Sequence, residues 1–163
     1  MSATISTPSS ARWLPRLLSG RPHQVIGGLD GPYLRRWYLI PRNRLVNVYL
    51  HHFCRSDDDR ALHDHPWSFA SVLISGAYLE ITDAGSIPRR LGSLAVRRAE
   101  HRHRIQLLTN PDDAERGCWT LVVTGPHRRQ WGFWCGGSRF VPWQAFGADG
   151  CDSPRHEHRM RQR

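Results

Sequence analysis

Along most of its length the chain is a succession of short segments in which apolar and polar residues alternate, separated by turn formers. Alternation with period two puts every second side chain on one face of an extended strand. Residues 33–39 (YLRRWYL) and 45–54 (LVNVYLHHFC) are predicted strands, the second with Leu45, Asn47, Tyr49, His51 and Phe53 on one face. A polar run from Arg55 to Arg60, with three successive aspartates, breaks the pattern. Strands are predicted next at 69–74 (FASVLI), ending at Ser75-Gly76, and at 78–82, closed by Asp83-Ala84-Gly85. Further strands follow at 92–96, 102–108, 119–124 and 131–135, with a polar loop over 110–117. Short, regularly punctuated strands with no convincing internal helix predict an all-β antiparallel sandwich or barrel.

A length of 163 residues suits one domain. Residues 1–24 begin with a Ser/Thr/Pro stretch and continue to an apolar patch at Trp13, Leu14, Leu17 and Leu18, which reads as a flexible N-terminal arm. The barrel domain is expected over 25–145, and 146–163, rich in Gly, Asp, Ser, Pro and Arg, as a loose basic tail. No apolar run is long enough to cross a bilayer, and no basic-then-apolar leader opens the chain, so no membrane association and a cytoplasmic location are expected. None of the four cysteines forms a CxxC pair. Cys54, Cys118 and Cys135 sit among apolar residues and read as buried free thiols, while Cys151 falls in the polar tail.

The net charge of +9 invites a nucleic-acid reading, but four arginines lie in the last nine residues. A solvated basic end explains this more simply, and no helix-turn-helix, zinc-finger or RNP-like pattern accompanies it. Trp131, Phe133 and Trp134 put aromatic rings on both faces of one strand, which suggests burial once in the barrel and once against the N-terminal arm or a partner subunit, the latter as a homodimer.

The sharpest local chemistry is His63-Asp64-His65. Two histidines two apart on an extended backbone point to the same side and can reach one cation. A second pair, His101 and His103, stands about forty residues later at a predicted strand lip. If hairpins separate the pairs, they can meet across a barrel. Three neutral imidazoles would hold one divalent ion, Fe, Ni, Cu, Zn or Mn, and leave coordination positions open. The bland alternative is a set of surface histidines on a basic protein.

With these residues in place, the chain resembles the cupin superfamily, a single-domain jelly-roll, or double-stranded β-helix. Its first motif supplies two histidines as HxH and a closing glycine, matched by His63, His65 and Gly76, and its second supplies a third histidine, matched in register by His103. The motif glutamate would fall at Phe69 or Ala70, and the second motif's proline and glycine are replaced by Arg98 and Glu100. A site without a carboxylate is similar to the three-histidine, thiol-dioxygenase-like cupins. His101 replacing or joining His103, and Asp64 or Glu100 as carboxylate ligands, stay open. The resemblance implies a metal-dependent dioxygenase or hydroxylase acting on a small, anionic molecule, with Fe(II) the foremost cofactor and Zn, Ni or Mn as alternatives. An isomerase, lyase or dehydratase, or a non-catalytic small-molecule-binding domain, are the alternatives. Tyr78 and His51 are candidate proton-handling residues, and Arg60, three residues before His63, is a candidate for pairing a substrate carboxylate from the rim.

Overall fold

The computed structural model describes residues 12–28, 31–57, 61–111, 114–146 and 150–152. One short helix, α1 (Trp13–Leu18), precedes twelve strands: β1 (Gln24–Gly28), β2 (Gly31–Tyr38), β3 (Asn47–Phe53), β4 (Leu62–His63), β5 (Phe69–Ser75), β6 (Tyr78–Thr82), β7 (Gly85–Arg89), β8 (Leu94–Arg97), β9 (His103–Leu107), β10 (Cys118–Thr124), β11 (Gly132–Cys135) and β12 (Arg139–Pro142). They form two six-stranded antiparallel sheets, ordered β1-β2-β3-β10-β5-β8 and β12-β11-β4-β9-β6-β7. The strand pattern predicted an antiparallel sandwich or barrel, and the two sheets form the jelly roll that the family resemblance implied.

The period-two rule accounts for which side chains face the interior. In β3, Asn47, Tyr49, His51 and Phe53 are buried, and in β10 Cys118, Thr120, Val122 and Thr124 are buried, with partly or fully exposed residues between them. Strand register lines these up in rows across the first sheet. One inner row runs Arg36, His51, Thr120, Leu73. The next runs Tyr38, Tyr49, Val122, Ser71, Ala95. The apolar core concentrates at one end, where Leu34, Phe53, Leu73, Tyr78, Ile105, Leu107 and Cys118 pack together. Gly76 makes the β5–β6 turn at φ +83°, and an added Cβ would stand 2.8 Å from the Cys118 Cβ, so only glycine fits there.

The outer face of the same sheet is also apolar. Trp37, Leu50, Leu121, Val72 and Leu94 form one row across five strands, and Val48, Val123, Ala70 and Val96 a second.

Two expectations change here. Cys135, read as a free thiol, is disulfide-bonded to Cys151. Sequence spacing could not reveal the pairing, because the two cysteines meet only when β11 and the turn at Gly150–Asp152 come together around Ala61, Val141 and Phe146. The aromatic strand β11 is covered largely by its own chain: Phe133 stacks on Phe146 with centroids 3.7 Å apart, Trp131 on Trp143, and the Arg102 guanidinium lies over Trp134. Among the described residues no helix is long and apolar enough to cross a membrane.

Candidate metal centre

His63 and His103 are direct cross-strand partners, one on β4 and one on β9. His65 lies two residues beyond His63 and returns to the same face. The three rings form a triangle with equal sides, each pair of centroids 5.1 Å apart, and one nitrogen from each lies within 4.8 Å of the others. The Nε2 atoms of His65 and His103 are 2.8 Å apart. Two nitrogens bound cis to one cation at about 2.1 Å would stand about 3.0 Å apart, so this donor set fits a single divalent ion.

The protonation states favour ligation. Burial pushes the His63 imidazole down to about 4, with a smaller push from His103, against the opposing carboxylates of Asp57 and Asp64. Burial pushes His65 well below the usual histidine range, followed by the charges of His103 and His63 and then of Arg36 and His51. Both rings are therefore neutral at physiological pH, the form that offers a lone pair.

Glu80 on β6 orients His103. Its Oε1 lies 3.2 Å from His103 Nδ1, so the proton sits on Nδ1 and the Nε2 lone pair faces the other histidines. The carboxylate is 2% exposed and accepts from Arg89 Nη2 at 2.6 Å, Arg97 Nη2 at 2.9 Å and His101 Nε2 at 3.1 Å. Burial by itself would raise its proton affinity. Hydrogen bonds from His103, Arg97 and Arg89 overcome this and hold it far below the usual carboxylate range. Phe69 occupies the side where the motif carboxylate was expected, edge-on to His65 with centroids 4.8 Å apart.

The remaining candidates lie elsewhere. His101 shares Glu80 with His103 instead of joining the triangle, although Glu80, His101 and His103 together make a second group of metal-capable atoms. Asp64 is fully buried on the opposite face from its neighbouring histidines, accepting from Gly132 N, Trp134 Nε1 and Arg129 Nη1. Glu100 is exposed. Tyr78 packs in the aliphatic core cluster, and burial, followed by Glu80, raises its hydroxyl proton affinity far above the ordinary tyrosine value. His51 lies on the inner face, where its Nε2 accepts from Arg36 Nε at 2.8 Å. Arg60 lies outside the described residues. Sequence reasoning passed over Glu80 as a positioning group and Arg36 altogether. Their polar identity at inward parity on predicted strands was the available signal.

No protein-family model matches this sequence, and no curated protein matches it. Among solved structures, a candidate mannose-6-phosphate isomerase from Ralstonia eutropha JMP134 superposes with a TM-score of 0.50 at 17% identity, covering 64% of this chain and 93% of that one. An uncharacterized protein with a double-stranded β-helix domain from Klebsiella pneumoniae subsp. pneumoniae MGH 78578 gives 0.49 at 13% identity, over 82% and 97%. The polyketide cyclase RemF from Streptomyces resistomycificus gives 0.49 at 15% identity, over 61% and 69%. At these identities the likeness concerns the fold.

Proposed function

We propose that this cupin-type double-stranded β-helix is a metal-dependent enzyme of the isomerase, lyase or dehydratase kind, acting on a small anionic molecule with one divalent cation held by His63, His65 and His103. The convergence of three imidazoles from β4, β9 and the segment after β4 carries the reading. With only neutral donors, a bound divalent ion keeps its full double charge and would supply Lewis-acid polarisation of a substrate carbonyl or carboxylate oxygen. The chain's own residues do the rest. Glu80 fixes the His103 tautomer, and the rings of Phe69 and Phe133 exclude water beside His65 and His63. His51 is held neutral by burial and by the adjacent Arg36 charge. Its Nε2 lone pair is engaged by Arg36, so its place here is positional. The isomerase designation of the Ralstonia neighbour accords with non-redox chemistry.

An iron dioxygenase or hydroxylase of the thiol-dioxygenase-like type is the second reading, because three neutral nitrogens also suit Fe(II). Elemental analysis of freshly purified protein, beside His63→Ala, His65→Ala and His103→Ala, tests the site. About one equivalent of metal is expected in the parent and a large loss in each variant, with the β-sheet circular dichroism retained. Stoichiometric metal in the variants would refute the ligand set, and oxygen uptake with a thiol or diketone would favour the oxygenase.

A homodimer is part of the same proposal, formed through the apolar outer face of the first sheet, where Leu94 is 66% and Val96 70% exposed. Five strands about 4.8 Å apart, packed against a second copy, would bury on the order of 1,000 Å² in total, the lower end for a specific interface. Light scattering on the parent and on Leu94→Asp tests it: an unchanged mass would place any dimer contact elsewhere.

A further inference from the structure

Arg36 stands out because, among the described residues, its charge has no counter-charge. It projects from β2 into the space between the sheets, in the inner row with His51 and Thr120. The groups around it are neutral. His51 Nε2 accepts from Nε at 2.8 Å and Gln24 Oε1 from Nη1 at 3.1 Å, and the guanidinium carbon lies 5.0 Å from the Tyr49 ring centroid. Among the described residues no carboxylate pairs with it, and Arg42 is a second nearby cation. Burial pulls its proton affinity down. A guanidinium has five N–H groups, so two engaged leave three for a further acceptor.

A half-buried charge whose hydrogen-bond partners among the described residues are neutral is costly to maintain. A second, independent observation lies in the same row. Thr120 is 3% exposed, and its hydroxyl, a cross-strand neighbour of His51, has no hydrogen-bond partner. An orphaned hydroxyl one strand beyond His51, in the row that Arg36 begins, is what remains when an acceptor reaching both is a guest. Phe69 packs on the adjacent inner row of Tyr38, Tyr49 and Val122 and also edge-on to His65 with centroids 4.8 Å apart, so this side of the first sheet lies near the three-histidine centre. His63 keeps 14% of its side-chain exposure, so the centre is not sealed from solvent.

We propose that Arg36 is the anion-recognition residue of the barrel, binding the carboxylate of a small organic acid with help from the Thr120 hydroxyl. The inference rests on the functional reading above and names its substrate class. A carboxylate fits better than a phosphate, because one guanidinium edge matches a single bidentate monoanion, and the nearby second cation, Arg42, is exposed and lies over the Tyr38 ring. Arg36 is a specificity-determining residue here, and the step is binding alone.

Fluorine NMR with trifluoroacetate as the carboxylate probe, run alongside metal analysis, tests the assignment. Arg36→Gln keeps the hydrogen bond to His51 within reach of its amide and removes the charge. The parent is expected to bind the probe and Arg36→Gln to bind it about 10- to 100-fold more weakly, at unchanged metal content. Arg36→Lys, which keeps the charge without the fork, should fall between them. Thermal melting separates binding from a structural role: a group kept for a guest leaves Arg36→Gln as stable as the parent or more stable, whereas a structural arginine would lower the melting temperature. Arg36-dependent binding in a parent that carries no metal would uphold this inference while sinking the metal reading. Parent-like affinity in Arg36→Gln, a parent that does not bind, or lost binding traced to a destabilised Arg36→Gln and not seen in a folded Arg36→Lys would each overturn it.

Discussion

Replacing Glu80 with glutamine tests the link between the ion-pair hub and the metal centre. The substitution keeps the side chain's size and removes one negative charge from a carboxylate 2% exposed. Arg89 and Arg97, with side chains 14% and 18% exposed, lose their shared counter-charge. Removing one member of a buried ion pair destabilises by about 3–5 kcal/mol, because the remaining charge is left desolvated and unpaired. For a domain of this size that corresponds to a melting temperature lowered by roughly 6–20 °C. The same change weakens the restraint on the His103 tautomer, since a rotated amide can offer Nδ1 an N–H in place of an oxygen. Losing such a partner typically weakens metal affinity about 10- to 100-fold. Differential scanning calorimetry and a zinc titration against a competing chelator read the two effects separately. Adding Arg97→Gln to Glu80→Gln should recover part of the stability, since one stranded cation is gone, without restoring metal affinity. A Glu80→Gln protein that melts and binds zinc like the parent would refute the assignment of Glu80 as the anchor of His103.

Three further outcomes follow from the same structure. Because the folded protein holds His63 at about 4 against an ordinary 6.5, the unfolded chain binds more protons between those values. Stability is therefore intact above pH 6.5 and declines as pH falls through 4, by about 3 kcal/mol in total for this group. Urea midpoints across pH 7 to 4 should show this slope in the metal-free protein. Its persistence undiminished in His63→Gln would trace it to another group. Asp64→Ala should lower stability by about 3 kcal/mol or more, since it strands Arg129 and leaves the Gly132 and Trp134 N–H groups without an acceptor; chemical denaturation followed by tryptophan emission reads it, and a loss below about 1 kcal/mol would contradict that role. Gly76→Ala is expected to lower stability by about 2 kcal/mol or more through left-handed backbone strain and collision with Cys118, and an unchanged melting temperature would count against the turn geometry.

How much was legible in the sequence varies along the chain. Strands inside the sheets announced themselves: β3, β5, β6, β9 and β10 lie where alternating runs were predicted, within two residues at each end. A strand with neighbours on both sides and a buried face has to alternate. The strands passed over include β1, β7 and β12, all at sheet edges. Edges tolerate proline and carry little alternation, as Pro88 in β7 and the glycines of β1 show. The two-residue β4 was too short to give a period.

The histidine spacing determined that His63 and His65 share a face and that Asp64 points away, because strand parity is a local property of the backbone. Which of His101 and His103 completes the triangle is decided by the β4–β9 pairing, a contact between residues forty apart. The Cys135–Cys151 bridge, the Glu80 hub and the neutral partners of the Arg36 charge are tertiary in the same sense. Each depends on which side chains from distant strands meet in a low-dielectric interior, where a charge must find a partner and a pattern along one segment cannot name it. The sequence by itself determined the layered β architecture and the chemistry of its donors, while the closed sheets decided which donors share a centre and which charge waits for a ligand.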